Sequence, residues 1–247
     1  MLLMGKMTVL DKQGTYQYHA LKSKNKIKQF WHSNKLNVVD FICTFNKKDT
    51  VLDFGCGSGN LIFHLDGRVK SLTGIDVSDE SLRFCNTRKK QSHHPETTKL
   101  FQKYTGSTFQ LGKERYDKIF SLDVIEHIPD KELIFILKQL EVALKQNGKI
   151  VVFTPHKNSL WPILEWTANM LEISPEMTYP HLHTYIPQDL KKLFLKHTGL
   201  KIEKVFTFYT LSPFVALFSD RLAEQQLKNE LRTARIGMML GILLTKE

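Results

Sequence analysis

The chain has 247 residues, 42% of them hydrophobic and 24% charged, which suits one α/β domain with insertions and excludes a disordered or fibrous chain. Its 35 basic and 25 acidic residues give a formal charge of +10, but the basic residues are scattered apart from Lys22, Lys24, Lys26 and Lys28, and no nucleic-acid motif accompanies them. Three widely spaced cysteines, Cys43, Cys56 and Cys85, make neither a disulfide framework nor a structural zinc site. No signal-like apolar stretch lies between Met1 and Met7, and the late run Ile236 to Leu244 is far short of the roughly 20 residues a spanning helix needs, so the expected location is cytoplasmic, with a peripheral membrane surface as the alternative.

Residues 1 to about 20, with Tyr16, Tyr18 and His19 and no periodicity, are expected to form a mobile arm. Ile27, Phe30 and Trp31 predict a short amphipathic helix with the lysines on its other side. Residues 1–34 would then be an N-terminal arm and lid helix, and 35–247 the main domain. Helical spacing continues through Leu36, Val39, Ile42 and Cys43. The run Val51-Leu52-Asp53-Phe54 predicts a buried strand over 50–54, which ends in Gly55, Gly57 and Gly59. A helix over about 58–66 follows. Glycine permits positive φ and close approach of a ligand, and the start of a helix offers unpaired N–H groups. A dinucleotide turn would place its third glycine where Asn60 stands, and Asp53 would repel a pyrophosphate. An acid at that position favours a cationic ligand.

A second strand, 69–75, ends at Asp76, where two carboxylate oxygens can accept both hydroxyls of a ribose. Ser78 caps the next helix, to about Gln91. A third strand near 98–104 leads to Thr105-Gly106-Ser107. A fourth, 117–122, runs into Asp123-Val124-Ile125-Glu126-His127-Ile128-Pro129-Asp130, and a helix with Leu133, Leu137 and Leu140 on one face continues to Gly148. The fifth strand is 149–153. An apolar insert with Trp161 and Trp166 follows, then His181 and His183, a helix over 187–197, a sixth strand over 200–209, an apolar segment from Leu211 to Phe218, a polar helix to about Arg232 and a last strand over 236–244. The inserts, about 156–186 and 211–234, leave from the sheet edge at which open α/β folds bind ligands. They would roof the site for an apolar acceptor, or pack on each other as a cap.

The pattern Asp53-x-Gly55-x-Gly57-x-Gly59 resembles the first motif of the class I S-adenosylmethionine (SAM) methyltransferases. With Asp76 and the run from Asp123 to Asp130, it is similar over about residues 35–205 to the subfamily that includes the ubiquinone-pathway O-methyltransferases. The resemblance implies a Rossmann-like, seven-stranded, doubly wound α/β sheet with helical cap insertions. It implies SAM as cofactor, S-adenosylhomocysteine as product, and contacts from Asp53, Gly55, Cys56, Gly57, Gly59, Asp76, Val77 and Asp123. Asp76 would hold the ribose and Asp123 the methionine part. Ser107 stands where many relatives carry an acid for the adenine amino group, so a backbone contact is expected there. His127 is the expected general base, because imidazole titrates near neutrality. The alternatives are a histidine bonded within its own loop, and a divalent ion held by Asp123, Glu126 and His127. The expected acceptor is a small apolar or amphipathic molecule methylated on oxygen. The rival readings are an RNA- or protein-directed enzyme and a non-catalytic SAM-binding module at a membrane surface. The run Asp-Val-Ile-Glu after the fourth strand is not the Asn/Asp-Pro-Pro-Tyr/Phe of the N-methylating nucleic-acid enzymes.

Overall fold

Strands buried on both faces read as continuous apolar runs and belong in the middle of a parallel sheet. In the computed structural model, which describes residues 9–160 and 181–247, such runs form the centre of one seven-stranded sheet. Its strands are Thr50–Phe54 (β1), Ser71–Asp76 (β2), Thr98–Lys103 (β3), Tyr116–Leu122 (β4), Leu144–Pro155 (β5), Lys201–Phe208 (β6) and Met239–Thr245 (β7). The order is β3-β2-β1-β4-β5-β7-β6. β7 is antiparallel to both β5 and β6, and the remaining pairs are parallel. The described helices are Val9–Ala20 (α1), Lys26–Ile42 (α2), Asn60–His64 (α3), Asp79–Lys90 (α4), Asp130–Ala143 (α5), Pro187–His197 (α6), Ser212–Val215 (α7) and Asp220–Thr233 (α8).

Alternate residues of the strands feed two cores, as the period of two requires. On one face Val51 and Leu243 pack with Val38 and Val39 of α2, Ile62 of α3 and Leu227 of α8. On the other, Leu52 and Leu244 pack with Leu137 and Leu140 of α5 and Leu190 and Phe194 of α6. The doubly wound sheet expected from the sequence is therefore present. Among the described residues no helix is long and apolar enough to cross a membrane.

Three local expectations change. The arm is helical from Val9, and α1 lies on α4: the Tyr18 ring meets Phe84 edge-on at 5.3 Å, and the Arg88 guanidinium sits 4.7 Å from the Tyr18 centroid. α2 runs unbroken through residues 34 and 35. α5 stops at Ala143 rather than Gly148, because Leu144 turns extended to pair with Tyr116 of β4. The core of the first insert, residues 161–180 with Trp161 and Trp166, lies outside the described residues.

A buried carboxylate anchors the second insert. Glu230 of α8, 3% exposed, accepts the backbone N–H groups of Thr210, Leu211 and Ser212 and the Ser212 hydroxyl at 2.8–3.1 Å. These are the unpaired donors at the start of α7. Glu230→Ala should lower the unfolding free energy by about 3 kcal/mol, because three N–H groups, that of Ser212 fully buried, lose their acceptor. A denaturant midpoint unchanged from the wild type would refute that role.

Candidate active site

After β1 the chain winds outward to β2 and β3, then returns to β4 on the other side of β1. The strand ends therefore diverge between β1 and β4, and a crevice opens at their carboxyl edge. Asp53 pairs in register with Phe120 of β4 and Gly74 of β2, so its side chain is delivered to the bottom of that crevice. The cleft is lined by Gln17 of α1, by His32, Lys35 and Leu36 of α2, by Asp53, Gly55, Cys56, Asn60 and Leu61 around the glycine turn, and by Leu122 and Asp123 after β4.

The turn is tight for reasons the protein supplies itself. Gly55, Gly57 and Gly59 have φ of 80°, 48° and 73°, in the left-handed region where a side chain is strained. The N–H groups of Gly55 and Cys56 both donate to Ile75 O, at 2.7 and 2.9 Å. A Cβ on Gly55 would lie 2.3 Å from Val124, and one on Gly59 2.8 Å from Cys85 Sγ. A Cβ on Gly57 would lie 2.5 Å from Gln17 Oε1, so α1 rests directly on the turn. Asn60 Nδ2 donates to Gln17 O at 2.9 Å and holds it there. The Cys56 thiol lies against Gly74 and is buried, and Val77 is exposed at the strand edge.

The three acids of the sequence pattern meet at this edge in different states. Asp76 Oδ2 accepts Gly57 N–H at 2.7 Å and Oδ1 accepts Ser78 N–H at 2.9 Å. It thus braces the glycine turn as well as facing the edge. Burial pushes its carboxyl above the usual range, against the pull of those donors. Asp53 is 4% exposed, and burial, then the charge of Asp76, pushes it up to about 8. Asp123 takes a left-handed φ of 59° as its N–H donates to Phe153 O at 3.0 Å. Its Oδ2 is paired with Lys35 Nζ, while Oδ1 is buried with no hydrogen-bond partner among the described residues. Two aspartic side chains and one lysine therefore line a single cleft, which suits a ligand carrying both a carboxylate and positive charge.

Lys35 was not among the expected site residues, nor were Gln17 and His32. The signal was there: Asn34 and Lys35 occupy buried positions of α2 between Phe30 and Val38. His32, three residues before Lys35 on the same helical face, is pushed well below the usual histidine range by burial, then by the charges of Lys35 and Lys28. Lys35→Met should cost about 2 kcal/mol of stability by stranding Asp123, and Lys35→Met/Asp123→Asn should recover most of it. Equal losses in the two variants would show that the pair does not matter.

Beside the cleft stands a second group. His127, in the 3-10 turn Ile125–His127, is exposed, and Glu126 is 1% exposed. Leu182 and His183 donate their N–H groups to Glu126 O at 2.9 and 3.1 Å. This clamp brings the His181 ring to 5.0 Å from the His127 ring. Ligand atoms of Glu126, His127 and His181 all lie within 4.8 Å of one another. Among the described residues the group whose ligand atoms lie this close is Glu126, His127 and His181, where Asp123, Glu126 and His127 were expected; Asp123 is paired with Lys35. Oxygen and imidazole donors suit a divalent ion. Glu126 Oε2 accepts from the Thr154 hydroxyl at 3.0 Å, and Oε1 is buried with no partner among the described residues. Burial, then the charge of Asp123, raises Glu126 to about 8, and burial lowers His181. His156 and His183 do not join the group: His156 donates from Nδ1 to Gly237 O at 2.9 Å, and His183 from Nε2 to Ile128 O at 3.0 Å. Ser107 lies in an exposed turn over Gly106–Thr108. Phe214 of α7 packs on the core.

Comparison with known proteins gives three results. A family model described as a methyltransferase domain matches residues 26–205. The chain is 24% identical over 216 residues to a ubiquinone biosynthesis O-methyltransferase of Nitrosomonas europaea, covering 85% of this chain and 88% of that one, and 29% identical over 171 residues to one of Vibrio cholerae, covering 66% of this chain and 65% of that one. Its fold is shared with the crystal structure of a SAM-dependent methyltransferase of Thermotoga maritima, at a TM-score of 0.66 and 15% identity, over 97% of this chain and 98% of that chain.

Proposed function

The chain belongs to the methyltransferase-domain family and is a SAM-dependent methyltransferase, and from this premise we propose that it methylates a hydroxyl oxygen of a small apolar or amphipathic acceptor. The observation that carries this reading is the meeting of His127 and His181 beside the cofactor cleft. A hydroxyl acceptor must lose a proton, and an imidazole that burial keeps neutral can take it. The names of the Nitrosomonas and Vibrio relatives support an acceptor of that chemical kind.

The residues of the cleft fit the cofactor. The buried, unpartnered Asp123 Oδ1 and the buried Asp53 carboxyl suit its positive groups, Lys35 its carboxylate, and Asp76 its ribose. Gly55, Cys56, Gly57, Gly59 and Val77 would pass along it. Bound there, SAM supplies a methyl group on a positively charged sulfur. The chain aligns the two reactants, which accounts for much of the barrier in an in-line displacement. α1 rests on the glycine turn through Gln17, and α2 brings His32 and Lys35 to the cleft, so α1 would act as a lid while α2, unbroken across residues 34 and 35, belongs to the main domain. An apolar acceptor held in a bilayer makes peripheral membrane contact part of this reading.

The test is methyl transfer from labelled SAM to an alkyl-substituted catechol, with total RNA and a basic peptide in parallel. Label on the catechol is the expected result, and label on RNA or peptide alone would refute it. A second reading is favoured by the 4.8 Å cluster: a divalent ion at Glu126, His127 and His181. Calorimetric titration of magnesium or manganese into the cofactor-free protein tests it, with binding expected in the wild type and lost in Glu126→Gln.

A further inference from the structure

We propose that the corner between α7 and α8 is a docking surface for an anionic lipid bilayer. The proposal rests on the reading that the acceptor is apolar and drawn from a membrane, and it names the surface and the lipid charge.

Leu217, Phe218 and Leu222 are 53, 88 and 56% exposed and fall within six residues of sequence. Phe218 immediately precedes Ser219, the residue that caps α8 by accepting the N–H of Leu222. A large apolar residue in that place ordinarily folds back onto the fourth helical residue. That residue is Ala223, which is buried in the core, yet Phe218 stands in solvent. The fold makes no use of this side chain. Single exposed leucines need no explanation, but an almost bare phenylalanine between two exposed leucines at a corner does.

The charge around the corner selects the partner. Lys26 Nζ lies 3.2 Å from Asp220 Oδ2, which brings the start of α2 to the start of α8. Residues 21–28 contain Lys22, Lys24, Lys26 and Lys28 and no acid, and the start of α8 adds exposed Arg221 against exposed Asp220 and Glu224, so the two segments together keep an excess of positive charge. An apolar tip bordered by cations is the arrangement that seats in the boundary between headgroups and acyl chains, with the cations at lipid phosphates. A second copy of this chain would set these cations against each other. The corner also lies on the correct side. β6 is parallel to β5, so its end at Phe208 shares the edge of the cleft, and Tyr209 beyond it donates to Trp31 O at 2.7 Å on α2. The tip therefore belongs to the same sheet edge as the cofactor cleft, which shortens the path of an apolar acceptor through water.

The test is co-sedimentation of the full chain with vesicles of phosphatidylcholine alone or mixed with phosphatidylglycerol. Partition onto the anionic vesicles should be about tenfold stronger and should fall in high salt. Leu217→Ser/Phe218→Ser should lose about tenfold on anionic vesicles, and Lys24→Glu/Arg221→Glu should lose the preference for them. Unchanged SAM affinity and unfolding midpoint would show that both variants are folded. Equal partition of wild type and serine variant overturns the proposal, as does no binding to either vesicle. A dimer that the serine variant alone loses also overturns it, in favour of a second copy. Failure of the wild type to methylate a soluble catechol, with vesicle binding intact, would instead count against the acceptor reading.

Discussion

Replacing His127 and His181 together by alanine should lower kcat on a hydroxyl acceptor by about 10²- to 10⁴-fold, the usual share of a positioned base. SAM affinity should stay within about twofold, because neither histidine lines the cofactor cleft. The acid limb of the rate profile carries the sign. A base must be unprotonated, so kcat falls as pH drops through its pKa. Burial lowers His181, which puts that limb below the usual histidine range if His181 takes the proton. The single variants separate the roles. Loss in His181→Ala with the limb abolished assigns the base to His181. Loss in His127→Ala alone, with the limb in place, leaves His127 to orient the acceptor. Full turnover in the double variant would sink the base assignment altogether.

The second large effect belongs to Asp53. Its carboxyl is pushed up to about 8 by burial, then by Asp76, so at pH 7 most of it carries a proton in the absence of cofactor. A cationic ligand favours the carboxylate and expels that proton. Affinity for SAM should therefore rise with pH up to about 8, by as much as about tenfold per unit. Titrations in buffers of different ionisation enthalpy should report proton release. Asp53→Asn should lose the part of the slope due to this group and weaken binding by about 10²-fold. Without cofactor the sign is reversed. A raised carboxyl pKa in the folded state means that stability present below about pH 4 is lost as pH rises toward about 8, so Asp53→Asn should flatten the pH dependence of unfolding over that window. A pH-independent SAM affinity would show that Asp53 is ionised or unused.

The elements that line the cleft are those a linear reading reaches most easily. The glycine turn, Asp53, Asp76 and Asp123 each sit at a strand end that local periodicity predicts, and the seven strands fall close to their expected places. Boundaries moved where a partner strand intervened, as at Leu144 with Tyr116. The arm over residues 9–20 had no periodicity to announce a helix, and its place on α4 and the glycine turn comes from contacts such as Tyr18 with Phe84.

By itself the sequence determined the strand–turn–helix unit, its preference for a cationic cofactor over a pyrophosphate, and the order of its three acids along the chain. These follow from backbone conformation and short-range spacing, which are properties of neighbours in sequence. The tertiary structure alone decided that Lys35 neutralises Asp123 from 88 residues away, that Gln17 covers Gly57, and that His181 joins Glu126 and His127. Those pairings depend on how helices cross the sheet edge and on which carbonyl clamps a returning loop. The reason is physical: a buried charge must find a partner in space, and the chain brings that partner from wherever packing places it.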